Sequence, residues 1–439
     1  MLDFDKPYRV NPDFEQTERG DKFLCINYKT ADWLRTNQSG RKILSACTGT
    51  RTLGEVIDAH ASALGFPGTV IREGCRDFLE HAVNAGLIFA GDVLPELPPQ
   101  MQHMRSPETI WVHVSGRCNL HCPFCYSESS PQRSQTLDAD KILAFLAQTE
   151  PETRKYVIIS GGEPFLYPEL ETLTAGIKAL GFTIQMITNG TVGHERYSAV
   201  SPYIDRIQFS VDGITADVHD ITRGKGSFDK MIAGMQTADA AGFRFKMLSF
   251  TGSAHNLHQL PQLPQFAAEH QIRQINLSRI VPAGRGKQTD IHADDCRYSA
   301  YLKRFMEAYE AIGGVQKNIL LSLSDDNSEK LKLHGKRYSC GLADSIISIW
   351  YDGNVYPCPS LHDPEFRLGS YTDSFAEILK NGHRLNERYR TDNPQSGCSD
   401  CKYQYFCGGG CLVKRLADRD GSYCARCKEE IECLFEYLN

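Results

Sequence analysis

The sequence has no run of eighteen uncharged apolar residues, which excludes an ordinary membrane-spanning helix. Charge of one sign is also scarce. The formal net charge is −6 over 439 residues, without the basic footprint of a polyanion binder. The opening MLDFDKPYRV carries no apolar core of the kind a secretory signal needs. Together these absences predict a cytosolic protein with no membrane partner. At 41% hydrophobic and 23% charged residues the chain reads as globular, and its length predicts two or three domains.

Cysteine, in contrast, is abundant. There are sixteen, and cytosolic thiols stay reduced, so a disulfide framework explains them poorly. Cys25, Cys47, Cys75 and Cys296 stand alone and read as small core residues or free thiols. The other twelve fall at 118/122/125, 340/358, 398/401/407/411 and 424/427/433. An even spread would put roughly 0.5 cysteines between 398 and 411, where there are four; such clustering points to metal.

Three segments emerge along the chain. Residues 1–92 form a small α/β module. KFLCINY is a strand candidate, and RTLGEVIDAHASALG is a helix with Thr52 and Glu55 in a capping box. GTVIREGCRDFLEHAVNAG continues as helix, and LIFAG closes as a strand. That order predicts a winged-helix-like arrangement. Winged helices often read DNA, but residues 1–95 hold eleven Lys/Arg against thirteen Asp/Glu, and a DNA reader wants a basic face. Residues 93–107, with VLPELPPQ, read as a linker.

Residues 108–310 alternate strand-like and helix-like stretches: TIWVHVSG, YVIISGG, TIQMITNG, IDRIQFSVDG, FRFKMLSFTG and IRQINLSRIVP, with helices between. This predicts βαβ units and a parallel sheet, open or curled. Such sheets bind ligands at the C-terminal ends of their strands. The three cysteines, GGEP, SVDG and NLSR all sit there. Residues 311–334 would bridge to a segment at 335–439 that is poor in helical pattern and holds nine of the twelve grouped cysteines. Such a segment needs staples, which metal would supply.

Cys118-x3-Cys122-x2-Cys125 places three thiolates on one short loop. Three cysteines grip three corners of a cubane and leave the fourth iron open, whereas four saturate it. Zinc is the alternative, with His121 or His113 as the fourth ligand.

With Tyr126 following it, the loop resembles the defining signature of the radical S-adenosylmethionine superfamily. The resemblance implies a partial (β/α) barrel and a SAM-binding 4Fe–4S cluster. It also implies reductive cleavage to a 5′-deoxyadenosyl radical, with the protein positioning the substrate. Gly161, Gly162, Glu163 and Pro164 match the family's amine-binding strand end, where Glu163 would supply a counter-charge to the ammonium. Ser210 and Asp212 match the strand end that contacts ribose or carboxylate. Arg223 would partner the carboxylate, and Tyr126 with IVPAG would flank the adenine.

The downstream cysteines, with Gly353 and CGGGC, are similar to the SPASM domain. This implies two auxiliary 4Fe–4S clusters, three in all. Positions matching Cys340, Cys358 and Cys411 would hold the inner one. Those matching Cys398, Cys401, Cys407 and Cys424 would hold the outer one. No cysteine lies between 340 and 358, so Cys427 or Cys433 completes the inner set or one iron stays open. An open iron could ionise a substrate thiol. Cys427 also competes with Cys424 for the outer set. Two zinc ribbons are the alternative.

The N-terminal module resembles the PqqD-like element that captures leader peptides by strand addition to a sheet edge. The combined resemblance implies a maturase of ribosomally made peptides, with a flavodoxin or ferredoxin as reductant and no nucleic-acid partner. A thioether crosslink from a cysteine sulfur is the preferred product. Carbon–carbon crosslinking, formylglycine formation in a sulfatase and a metal-containing nucleic-acid regulator are the alternatives. Removing residues 1–92 is expected to weaken precursor binding while sparing cofactor cleavage.

Overall fold

The computed structural model describes residues 2–19, 22–91, 93–94, 105–292, 295–314, 316–323, 336–418 and 421–437. Most of the expected linker (95–104), the later part of the expected bridge (324–335) and the Cys433 side chain fall outside the described residues. Among the described residues no helix is long and apolar enough to cross a membrane.

The N-terminal region carries two small antiparallel sheets. One contains β1 (Pro7–Val10), β5 (Thr48–Thr52) and β6 (Ile88–Ala90), in the order β5-β1-β6. The other is β2 (Phe14–Arg19), β3 (Lys22–Asn27) and β4 (Asp32–Thr36), with β3 in the middle. The helix Leu53–Leu64 starts at the expected capping box: Thr52 N donates to Glu55 Oε2 (2.8 Å) and Glu55 N to Thr52 Oγ1 (3.2 Å). The next helix is not continuous. It splits at Cys75 into Gly68–Gly74 and Arg76–Asn84, where the weak helix former Gly74 precedes the break. Apolar spacing does not register such an interruption.

The central sheet holds β7 (Thr109–His113), β8 (Tyr156–Ser160), β9 (Thr183–Thr188), β10 (Arg206–Val211), β11 (Lys246–Gly252) and β12 (Gln274–Arg279). These pair parallel in sequence order. β13 (Leu320–Leu323) extends it parallel beyond β12, so part of the expected bridge belongs to the sheet. On the other side β14 (Ile346–Ile349) pairs parallel with β7, followed by antiparallel β15 (Asn354–Tyr356) and β16 (Gly369–Ser370). The whole is the partial α/β barrel expected.

Strand periodicity sorts the side chains. In β10, Ile207, Phe209 and Val211 are fully buried on one face, each contributing about 1.5–3 kcal/mol by burial. Arg206, Gln208 and Ser210 occupy the opposite face and line a cavity inside the barrel.

The C-terminal region contains more helix than its sequence pattern suggested, with Phe375–Tyr389 and Ser422–Tyr437. The first buries Phe375, Ile378, Gly382 and Asn386. A glycine and an asparagine in the buried stripe hide its periodicity. Leu24, Ile26, Tyr28 and Trp33 from the N-terminal region share the barrel's hydrophobic core with Phe406, Ile431 and Phe435.

Candidate active site

The cysteine loop leaves the end of β7 and folds back on itself. Gly116 N donates to Gln135 O (2.9 Å), and Cys118 N to Ser130 O (3.1 Å). Its start is locked to the end of β8: Gly162 N donates to Ser115 O (2.7 Å), and Glu163 N to Arg117 O (2.9 Å). That contact explains the glycine pair. A Cβ on Gly161 would meet Ser115 O at 2.6 Å, and one on Gly162 would lie 2.0 Å from Arg117 O. Any side chain there would drive the two segments apart.

Two residues outside the expected set hold the loop. Arg285 donates from Nε to Cys122 O (2.8 Å) and from Nη2 to Ser129 O (2.9 Å), while its amide donates to Cys125 O (3.1 Å). Asn189, just past β9, donates to Asn119 Oδ1 (2.9 Å), with Cys118 Sγ at 3.8 Å. Both lie beside stretches already singled out, Arg285 directly after IVPAG and Asn189 at a strand end. A loop made of free carbonyls calls for donors from elsewhere.

Cys118, Cys122 and Cys125 line one cavity of about 600 Å³ together with Tyr126, Gly161, Gly162, Ser210, Arg223, Ile280 and Val281. Burial pushes the Cys118 thiol up to about 12 and Cys122 up to about 11, so a metal must displace these protons to bind. Among the described residues no three His, Cys, Asp or Glu side chains converge on a single-ion site. Nor is His113 available as a zinc ligand. Its Nε2 pairs with Tyr126 Oη (3.0 Å) and its Nδ1 with Ser348 Oγ (3.1 Å), and burial lowers its pKa to about 3. His121 is exposed. Three thiols spread around one cavity wall fit a polynuclear cluster better than a mononuclear zinc.

Two expected cofactor contacts take other positions. The Glu163 carboxylate is fully buried and accepts from Thr188 Oγ1 (2.8 Å), Asn189 N (2.8 Å) and Phe165 N (3.2 Å). Burial raises its pKa to about 7 against the pull of those donors. It ties β8 to β9, and the glycine backbone faces the cavity in its place. Pro164 is buried at the start of the short turn Pro164–Leu166. Asp212 is also turned inward: its carboxylate accepts from Arg223 and from Thr222 Oγ1 (3.0 Å), with its side chain fully buried. Ser210 and Arg223 reach the cavity, while Asp212 positions Arg223. The spacing of SVDG could not show which way the aspartate turns.

The C-terminal cysteines divide into groups. Burial raises the Cys358 thiol, and Cys411 and Cys340 beside it raise it further. Cys411 also lines the large cavity, with Pro359 and Ser360. Cys424 is raised by burial and then by neighbouring Cys427 and Cys398. Cys427 and Cys398 thus both lie near Cys424. Arg415 Nη1 donates to Cys398 Sγ (3.4 Å), Cys401 N donates to Cys398 O (3.0 Å), and Cys401 and Cys407 pack against the main core.

Three loop cysteines thus wall a cavity at the C-terminal mouth of a parallel partial barrel, a donor set that suits an iron–sulfur cluster. Residues 112–267 match the radical SAM superfamily, residues 340–402 the SPASM iron-sulfur cluster-binding domain, and residues 25–88 coenzyme PQQ synthesis protein D. The chain therefore carries a radical SAM domain between a PqqD and a SPASM domain.

Among curated relatives, mycofactocin maturase MftC of Mycobacterium tuberculosis is 27% identical over 333 residues, covering 74% of this chain and 83% of that one. Pre-heme d1 synthase of Dinoroseobacter shibae is 27% identical over 341 residues, covering 71% and 82%. Streptococcus suis SuiB bound to S-adenosylmethionine superposes with a TM-score of 0.59 at 14% identity, covering 94% of this chain and 97% of that one. Native anSMEcpe with bound AdoMet and Cp18Cys peptide gives 0.60 at 18% identity, covering 76% and 96%. These two likenesses are of fold.

Proposed function

We propose that this protein is a maturase that modifies a ribosomally made precursor peptide, installing an intramolecular thioether from a cysteine sulfur to a carbon. The observation that carries the reading is one cavity with contributions from two regions. The barrel loop supplies Cys118, Cys122 and Cys125, and the cysteine-rich C-terminal region supplies Cys411. The relatives named maturase and the PqqD match support a peptide as the substrate.

When bound, the cluster–cofactor pair supplies hydrogen-atom abstraction, and an auxiliary iron–sulfur centre accepts the leftover electron. In this account three clusters are held. Cys118, Cys122 and Cys125 carry the first and Cys340, Cys358 and Cys411 the inner auxiliary one. Cys398, Cys401, Cys407 and Cys424, with Cys427 beside them, carry the outer. The Gly161–Gly162 backbone, Ser210 and Arg223 grip the methionyl group of S-adenosylmethionine. Tyr126, fixed by His113, and Ile280 and Val281 wall the adenine side. The precursor's leader adds as a strand at a free edge of the small N-terminal sheets, and a flavodoxin or ferredoxin supplies the electron.

Mass spectrometry of the precursor after reaction tests this. A thioether removes two hydrogens and leaves the cysteine unreactive to iodoacetamide. Loss of two hydrogens with the cysteine still alkylated means a carbon–carbon crosslink, and an unmodified precursor overturns the maturase reading.

A further inference from the structure

Three guanidinium groups line the cavity: Arg206, Arg223 and Arg279. Two have carboxylate partners, Asp212 for Arg223 and Glu430 for Arg279. Arg206 has none among the described residues. Its guanidinium carbon sits 5.2 Å from the centre of the Tyr156 ring and 5.1 Å from that of Phe245. The acids near its end of the sheet are engaged elsewhere. Asp205 pairs with Lys178, Glu108 with Lys155 and Asp239 with Lys246. No Asp or Glu is among the described residues that line the cavity.

The surroundings are built for a polar guest. Gln185 Nε2 (3.1 Å) and Asn276 Nδ2 (2.7 Å) both donate to Gln208 Oε1, and Gln274 Nε2 donates to Asn276 Oδ1 (2.8 Å). These amides form a chain across β9, β10 and β12, inside a barrel that could have been filled with aliphatic side chains. Arg206 begins β10, and Ser210, at the cofactor end, lies four residues further on. At about 3.3 Å per residue the two are roughly 13 Å apart along the strand.

We propose that Arg206 is a carboxylate-binding subsite for the substrate, deep in the barrel and opposite the cysteine loop. A half-buried guanidinium packed over two rings has less freedom to lose when its fork meets a carboxylate. The guest is a peptide carrying that carboxylate, on its C-terminus or on an Asp or Glu side chain. It would sit about four extended residues from the residue exposed to the cofactor. This subsite rests on the peptide-maturase reading, but that reading stands without it.

Three acetylated tetrapeptides serve as probes: tetraglycine with a free carboxylate, tetraglycine amide, and an amide with one Asp in place of Gly. Each is titrated calorimetrically into the anaerobically reconstituted full-length protein. At least one acid probe is expected to bind tenfold or more tightly than tetraglycine amide, and which one does so identifies the source of the carboxylate. Arg206→Gln should erase the preference and Arg206→Lys retain part of it, with circular dichroism checking both folds. The acid-against-amide comparison in the unaltered protein needs no variant. Equal binding of all three probes, binding of none, or a preference that survives in folded Arg206→Gln overturns the subsite. The precursor mass assay is independent, so failure here is distinguishable from failure of the maturase reading.

Discussion

Trp33, in the N-terminal sheet, meets Phe435, in the C-terminal helix, with ring centroids 6.2 Å apart and planes at 65°. Tyr28 adds edge contacts to Tyr403 (5.3 Å) and Phe406 (5.8 Å). The N-terminal region, which carries the PqqD match, is therefore wedged into the cysteine-rich region rather than tethered to it. Deleting residues 1–92 would uncover this aromatic surface, so such a truncation should lower stability as well as weaken precursor binding. Trp33→Ala should cost roughly 3–5 kcal/mol, read as a lower urea midpoint. An unchanged midpoint would show that the two regions are not coupled.

Asp212 and Arg223 form a buried pair at the cofactor end of β10. Removing the carboxylate leaves a buried cation unpartnered, at a cost of roughly 3–5 kcal/mol. Asp212→Asn should therefore lower stability and weaken S-adenosylmethionine binding by tenfold or more, measured by titration. Unaltered affinity would mean that Arg223 needs no positioning partner.

Arg285 clamps the backbone at Cys122, Cys125 and Ser129 without lining the cavity itself. Arg285→Ala leaves two part-buried carbonyls without this donor, at up to about 1–3 kcal/mol each, and loosens the loop. Iron should then be lost faster to a chelator than from the unaltered protein. Equal rates would assign the loop's rigidity to other contacts.

Asp32, largely buried at the start of β4, has its pKa raised by burial from 3.8 to about 6. The folded chain therefore holds a proton that the unfolded chain releases between about pH 4 and 6. Stability falls as pH rises through that window and is level above it, by at most about 3 kcal/mol. Asp32→Asn should flatten this slope in urea titrations at pH 4, 5, 6 and 7. A slope that persists unchanged would place the titration on another group.

Much of the site was legible because its parts are short and local. The Cys118 loop, the Gly161–Gly162 pair and the six parallel strands each show in spacing or strand periodicity. What stayed hidden is direction and long-range contact. SVDG does not say that Asp212 turns back to Arg223, nor GGEP that Glu163 is engaged by Thr188 and the amides of Asn189 and Phe165. Arg285 reaches Cys122 across 163 residues, which no local pattern encodes. The polar interior is carried by the alternation of RIQFSV and QINLSR, but it shows only once the structure assigns the apolar face to the helices.

The account stands or falls with the Cys118, Cys122 and Cys125 loop, and Cys122→Ala probes it most directly. The anaerobically reconstituted variant should lose about four irons per chain relative to the unaltered protein and form no 5′-deoxyadenosine under reduction. If it keeps the full iron complement and still cleaves S-adenosylmethionine, or if the unaltered protein carries zinc in place of iron and sulfide, the account is wrong.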